Sequence, residues 1–309
     1  MEPPPAPVSV IIPLGPRIEG IDRCIRSVAA QTRAPAEVIV VRDGPVGHDL
    51  ADDPLPPTSA LRRLDHPISR GAPAARNSGL AAATQDFVAY LDSDDAWTAD
   101  KLEQDLAAIG DAGAIVSGAV RVRDGVREAP VTRDHCADAR RVLRFDNWRL
   151  AVTSSLTVRR GVSPRWDEAL PAMQDWDYLL QLLDLTDVAT TDHTTTVIHQ
   201  TTDGRRVFAG DRRGLGLAAV ATKYASRVRQ DPAACGVMTR KLLAAAAEAE
   251  HPATRRTVLD ALTAVTQQRR WRGLTALDDV APSLTGPALR VGRLPRQTYW
   301  RISRRRRTA

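Results

Sequence analysis

The sequence predicts an α/β fold: a mostly parallel sheet with helices on both faces, followed by a helical C-terminal region. Three observations predict it. Short β-branched runs alternate with helix-spaced segments over the first 120 residues, and acids or prolines stand directly after those runs. Beyond about residue 205, strand signals give way to alanine- and leucine-rich helical stretches.

The elements follow in order. Val8-Ser9-Val10-Ile11-Ile12 is an apolar β-rich run halted by Pro13, which reads as a buried strand. Ile21, Cys24, Ile25, Val28 and Ala29 then keep helical spacing. Val38-Ile39-Val40-Val41 is a second buried strand, closed by the turn Arg42-Asp43-Gly44-Pro45, and residues 49–59, rich in proline and acid, read as a surface loop. A small-residue helix covers about 72–83, a third strand 87–91, a helix marked by Leu102, Leu106 and Ile109 comes next, and Ala114-Ile115-Val116 is a fourth strand. Sheets built this way bind ligands at the carboxyl ends of their strands, where Pro13, Asp43 and Asp92 fall. After Val120 the alternation weakens: strands are predicted at 155–158 and 195–198, with a helix at about 176–185. Residues 215–228, 233–249 and 253–268 read as helices, so a boundary is placed near 205.

Composition excludes several classes. With 43% hydrophobic and 26% charged residues the chain is globular rather than disordered. No apolar run approaches the ~18–20 residues a membrane-spanning helix needs. The start, Met1-Glu2-Pro3-Pro4-Pro5, does not read as a secretory signal. Cys24, Cys136 and Cys235 are odd in number and far apart, which argues against a disulfide framework or a Cys-rich zinc site and fits a reducing cytoplasm. The net charge of +6 hides an asymmetry: residues 290–309 carry eight arginines and no acid, which leaves −2 on the rest. A nucleic-acid-binding body is therefore disfavoured.

The densest chemical signal is Tyr90-Leu91-Asp92-Ser93-Asp94-Asp95. Three carboxylates within four residues, straight after a buried strand, repel one another unless a hard divalent cation relieves them. Mg²⁺ bound by one or two carboxylates shares its remaining sites between water and substrate phosphates, so a nucleotide diphosphate is the natural partner. An isolated Asp-x-Asp more often does no more than cap the following helix.

Its context argues for the chemical reading. Val8-Ser9-Val10-Ile11-Ile12-Pro13, Arg23-Cys24-Ile25-Arg26-Ser27-Val28-Ala29-Ala30-Gln31-Thr32, Glu37-Val38-Ile39-Val40-Val41-Arg42-Asp43-Gly44, Gly71-Ala72-Pro73-Ala74-Ala75-Arg76-Asn77-Ser78-Gly79 and the acidic segment occur in that order. This series resembles the family 2 glycosyltransferases of GT-A (Rossmann-like) fold, over about residues 8–205. The resemblance implies a nucleotide-sugar part at about 8–120 and an acceptor part at about 121–205, followed by a helical region (206–289) and a basic tail (290–309). It implies that Asp43 hydrogen-bonds the nucleotide base with Pro13 beside it, and that Arg76 adjoins the nucleotide site. The same resemblance implies that Asp92 is close to ribose and metal and that Asp94 ligates the metal, Mg²⁺ or Mn²⁺. Met173-Gln174-Asp175-Trp176-Asp177-Tyr178 is similar to the family's Glu-Asp segment, which makes Asp175 the catalytic base and leaves Gln174 where a glutamate is usual. That change removes one charge beside the base, so Asp175 should be raised less in pKa than one of an adjacent acid pair. Near Pro13 the family commonly shows Thr-Tyr-Asn, where this chain has Leu14-Gly15-Pro16.

The implied activity is inverting, metal-dependent transfer of a sugar from a nucleotide-diphosphate sugar to an acceptor hydroxyl, which is carbohydrate, lipid-linked or a secondary metabolite. Displacing a nucleotide diphosphate needs charge neutralisation on the leaving group and a base for the attacking hydroxyl. Two rivals stand beside it. A sugar-phosphate nucleotidyltransferase would carry a Gly-rich basic loop after the first strand, of which Leu14-Gly15-Pro16-Arg17 is a poor version; a non-catalytic nucleotide-sugar binder would have lost the base.

Weaker signals remain. His193 and His199 lie six apart around a strand, which would put both on one face; His199 is either a diphosphate neighbour or a polar residue at a strand end. Gly214-Leu215-Gly216-Leu217-Ala218-Ala219 fits G-x-G-x-x-A, but no strand precedes it, so it reads as a helix start. Trp148, Trp166 and Trp176 flank the acceptor segment and either stack on a sugar or pack in the core. In the tail, Tyr299, Trp300 and Ile302 stand among arginines, a pattern suited either to an anionic membrane surface or to a solvated terminus. The sequence thus points to the cytoplasm, with the tail either a peripheral contact at the inner face of the membrane or a solvated end.

Overall fold

The computed structural model describes residues 4–47, 55–128, 130, 138–144, 153–200 and 210–267. Trp148, Cys136, most of the 49–59 loop and the basic tail lie outside them. The chain divides into two compact units, residues 1–169 with 174–205, and residues 170–173 with 206–309.

The first unit runs β1 (Ala6–Leu14), α1 (Ile21–Ala29), β2 (Pro35–Asp43), β3 (Ala60–His66), α2 (Ala72–Ala82), β4 (Phe87–Tyr90), β5 (Ala96–Trp97), α3 (Lys101–Ala108), β6 (Ala114–Arg123), β7 (Val126–Arg127), α4 (Ala139–Arg144), β8 (Leu156–Arg159), α5 (Gln174–Leu185) and β9 (Val188–Gln200). Its sheet has the order β3-β2-β1-β4-β8-β6-β9-β5, with β7 hydrogen-bonded to β6. The first four strands are parallel, as are β6 and β9. β8 enters antiparallel between β4 and β6, and β5 lies antiparallel on β9. A strand signal such as 155–158 carries no direction, so this reversal is invisible until the strands are paired.

Helices cover both faces because both faces of β1 are apolar. Val8, Val10 and Ile12 pack with Ile21, Cys24, Ile25 and Val28 of α1 and with Leu102 of α3. On the opposite face Ile11 meets α2, where a Cβ on Gly79 would come within 2.5 Å of the Ile11 side chain. The small-residue composition of α2 is thus a condition of its close approach to the sheet.

Several expectations are corrected. β1 continues through Pro13 to Leu14 rather than stopping there. The Ile11 carbonyl accepts from Leu91 N, so Pro13, two residues on, turns its missing N–H toward the same side, where β4 has already ended. β3 was not legible: it is an edge strand with four charged or His side chains, paired to β2 alone among the described residues. The predicted strands at 114–116 and 195–198 are parts of much longer ones, β6 and β9. Register shifts in β9 around Thr194 and Thr196 break the two-residue alternation, so six-residue spacing does not put His193 and His199 on one face.

The second unit is helical: α6 (Asp211–Lys223), α7 (Ala225–Gln230), α8 (Pro232–Glu248) and α9 (Pro252–Thr266). The single helix predicted over 215–228 starts earlier and is broken at Tyr224, whose φ of −103° and ψ of 16° leave helical geometry. Asp231 caps α8 by accepting from Ala233 N and Ala234 N at 2.9 and 3.2 Å. Gly214 and Gly216 lie within α6 as close-packing positions; a Cβ on Gly216 would meet Ala172 at 2.7 Å. Among the described residues no helix is long and apolar enough to cross a membrane.

Candidate active site

At the carboxyl end of β4 the chain turns tightly, with Asp95 N donating to the Asp92 carbonyl at 3.0 Å. The three acids of this turn have different surroundings. Asp95 points inward: its carboxylate accepts from Ser154 Oγ at 2.6 Å and from His199 N at 3.2 Å. It ties the 92–95 turn to β9 and to the residues before β8, and burial together with the charges of Asp94 and Asp92 raises its pKa well above the usual range. Asp94 is exposed to solvent, yet the surrounding protein and the charge of Asp92 raise its pKa. Asp92 is half-buried and accepts from Arg76 Nη2 at 2.5 Å.

Arg76 is the hinge of this arrangement. It is only 5% exposed, unusual for an arginine, and its guanidinium lies 4.5 Å over the Trp166 ring. Trp166 in turn stacks on Tyr178 of α5 at 4.0 Å, and Tyr90 meets both rings edge-on. The neighbouring Asn77 clamps the Trp166 main chain, accepting from its N–H at 2.8 Å and donating to its carbonyl at 2.9 Å. Trp166 and Trp176 are therefore core residues, Trp176 donating from its indole to the Val142 carbonyl. Trp148 lies outside the described residues.

Asp175 sits in the first turn of α5, where a carboxylate is favoured by the helix dipole. Burial is the main cause that lifts its pKa to about 6; the Arg76 charge pulls it down and the Asp92 charge pushes it up. The lift therefore needs no acid at position 174. The electrostatics bring Asp175, Arg76 and Asp92 into one cluster, although they come from three distant stretches of chain.

Asp43, the last residue of β2, stands apart. Its Oδ1 accepts from Arg70 N at 2.8 Å and pairs with His66 Nδ1 at 2.7 Å; its Oδ2 accepts from Ser69 Oγ at 2.8 Å and Gly71 N at 2.7 Å. Four partners use the roughly four lone-pair sites of a carboxylate, and they hold its pKa below the usual range despite burial. The turns framing it need left-handed backbone, met by Gly44 (φ 96°) and Gly71 (φ 91°). Direct contact with a base would require one of these partners to leave. The loop Asp43 anchors leads into α2, which carries Arg76. Pro13 is buried and lies beside Val41 of β2. His199 is partly buried beside Arg23, and both burial and that charge lower its pKa.

A divalent cation fits the donor set. Among the described residues no group of three or more His, Cys, Asp or Glu side chains is placed to hold a metal. Asp94 and Asp92 are the carboxylates that could hold a cation here, since Mg²⁺ or Mn²⁺ combines one or two carboxylates with water and phosphate oxygens. Residues 154, 66 and 77 carry much of the site's support. No motif marks Ser154 or His66, and the motif that contains Asn77 does not disclose its partner; the partners lie 59, 23 and 89 positions away in sequence.

Comparison with known proteins agrees with this architecture. Residues 9–161 match the model of Glycosyl transferase family 2. The pre-mycofactocin glycosyltransferase of Mycobacterium tuberculosis (strain CDC 1551 / Oshkosh) is 42% identical over 87 residues, which are 28% of this chain and 17% of that protein. The UDP-Glc:alpha-D-GlcNAc-diphosphoundecaprenol beta-1,3-glucosyltransferase WfgD of Escherichia coli is 35% identical over 100 residues, covering 32% of this chain and 40% of the relative. The aligned stretches thus span less than half of either relative. Crystal structures of S. aureus TarS 1–349, one in complex with UDP, superpose with a TM-score of 0.64 at 15% identity, covering 94% of this chain and 93% of that one. At that identity the likeness concerns the fold, and the fold is the GT-A type that the motifs imply.

Proposed function

Residues 9–161 place the chain in glycosyl transferase family 2, and we propose that it transfers a sugar from a nucleotide-diphosphate sugar to an acceptor hydroxyl, with inversion and with a divalent cation. The observation that carries this reading is the cluster of Asp175, Arg76 and Asp92 at the end of β4, with Asp94 open to solvent beside it. Asp175, raised to about 6, is ionised at neutral pH yet remains a competent proton acceptor. It takes the proton from the acceptor hydroxyl as that oxygen bonds to the anomeric carbon. The bond from this carbon to the diphosphate oxygen breaks, and its electron pair leaves with the nucleotide diphosphate. One displacement inverts the centre. Asp94 and Asp92 would hold Mg²⁺ or Mn²⁺, which neutralises charge on the leaving diphosphate.

The remaining roles are part of the same proposal. Arg76 holds Asp92 in place and keeps Asp175 more acidic than burial alone would make it. Pro13 and Asp43 are assigned to the base end, with Asp43 acting through the loop it anchors, and His199 to the diphosphate side; the hydrogen bonds of Asp43 to Arg70 N and Gly71 N and of His199 N to Asp95 support this assignment. TarS crystallises with UDP and with UDP-GlcNAc, so uridine diphosphate sugars are the first donors to test. The names of the relatives give acceptors as different as pre-mycofactocin and a diphosphoundecaprenol-linked sugar, so the acceptor class stays as broad as the sequence reading left it.

The test is a screen of nucleotide sugars for transfer or hydrolysis with and without Mn²⁺, with the anomeric configuration of the product read by NMR. Retention, or full activity in EDTA, overturns the mechanism. Cytoplasmic placement with the arginine-rich tail on an anionic membrane belongs to the same proposal. The intact chain should cosediment with anionic vesicles at low salt and a chain ending near Val291 should not.

A further inference from the structure

The start of α1 presses directly on the acidic turn. Gly20 precedes α1 with φ −98° and ψ −17°, ordinary right-handed backbone open to any residue. Its reason for being glycine is steric: a Cβ would lie 2.6 Å from the Asp94 Cα and 2.7 Å from the Ser93 carbonyl oxygen. Both are main-chain atoms, which cannot swing aside as a flexible side chain does. Three residues on, Arg23 Nη2 donates to the Asp94 carbonyl at 2.6 Å, while its Nε is buried without a hydrogen-bond partner. One residue thus sets how near α1 comes to the Ser93-Asp94 main chain, and the other ties that main chain down.

We propose that Gly20 and Arg23 are positioning residues that set the main chain at Asp94, and through it the direction of the Asp94 carboxylate, for holding a divalent cation. This rests on the cation reading above. It makes a claim about sign that electrostatics alone reverses. Arg23 and the exposed Arg17 are both positive beside Asp94, so by charge alone removing either should tighten cation binding. If Arg23 acts by position, its removal weakens binding although a repelling charge has gone.

The experiment titrates Mn²⁺ alone into the full chain, without nucleotide, and reads free Mn²⁺ by EPR. Thermal melts in EDTA confirm that each variant is folded. Asp94→Ala should lose the site. Gly20→Ala should weaken Mn²⁺ about tenfold or more, the scale on which supporting residues of a metal site act. Arg23→Leu should weaken it roughly three- to tenfold, while Arg17→Leu should leave it unchanged or tighter. Mn²⁺ binding by Gly20→Ala and Arg23→Leu within twofold of the parent, when Asp94→Ala has lost it, overturns the positioning role and leaves the cation reading intact. Tighter binding by Arg23→Leu overturns it equally, and decides the matter if Gly20→Ala does not fold. Equal binding by the parent and Asp94→Ala removes the cation reading, and this proposal with it.

Discussion

Asp43 and the acids of residues 92–95 occupy equivalent places, each at the carboxyl end of a strand in the parallel half of the sheet, yet they are treated in opposite ways. Asp43 has four hydrogen-bond partners and a lowered pKa. Burial and the charge of Asp92 raise the pKa of Asp94, and burial with the charges of Asp94 and Asp92 raises that of Asp95 despite its two hydrogen bonds. The difference teaches that position on a sheet does not decide what a carboxylate does. An acid whose lone pairs are filled serves as an anchor for its loop. Acids left facing one another hold unbalanced charge that a ligand from outside can relieve.

The largest effect should fall on the acid tied to the second group by charge. Asp175→Asn keeps the shape but cannot accept a proton, so kcat should fall by about 10²–10⁴-fold with the donor KM little changed. In the parent, kcat/KM should rise with pH and level off above about 6, because the base must be ionised. Removing the Arg76 charge, as in Arg76→Gln, should move that limb to higher pH, since this charge lowers the Asp175 pKa. The same group makes a stability claim. Its folded pKa of about 6 lies above the ordinary value of 3.8, so stability is lost as pH rises between them. Asp175→Asn should therefore be the more stable protein at pH 8, by at most about 3 kcal/mol, with the gap closing as pH falls toward 4. Denaturant melts at the two pH values measure it.

Next comes Asp94→Ala, for which loss of transfer by roughly 10²–10³-fold is expected, together with loss of the Mn²⁺-dependent gain in nucleotide affinity. Asp43→Asn should do the reverse: keep Mn²⁺ binding and lose about 1–3 kcal/mol of stability, through the donors left without an acceptor. Because the Asp43 pKa is lowered, that loss should be present at neutral pH and shrink as pH falls below its ordinary value near 3.8. If Asp43→Asn instead leaves stability intact and abolishes discrimination between nucleotide bases, the two acidic regions are more alike than their surroundings indicate. The smallest effect belongs to Ser69→Ala, which removes one of the four partners and should cost about 0.5–1.5 kcal/mol in urea.

Much of the parallel half was legible because its strands are buried on both faces. Runs such as Val38-Ile39-Val40-Val41 have no other stable place in a globular chain. β3 escaped because an edge strand is free to be polar, and β5 because two residues make no pattern. The site divides in the same way. Arg76, Asp92, Asp94 and Asp175 stand in recognisable local motifs, whereas Gly20 and Ser154 have meaning only through residues far along the chain.

By itself, the sequence determined the alternation of strand and helix, the fold class and the identity of the acids, since these depend on side chains within a few positions of one another. The tertiary structure alone decided which acid is filled and which is open, that Trp166 supports Arg76, and that α1 leaves no room for a side chain at position 20. Hydrogen-bond capacity and steric space belong to whatever groups the fold brings to a point, and residues 20 and 94 meet only after the chain between them has folded.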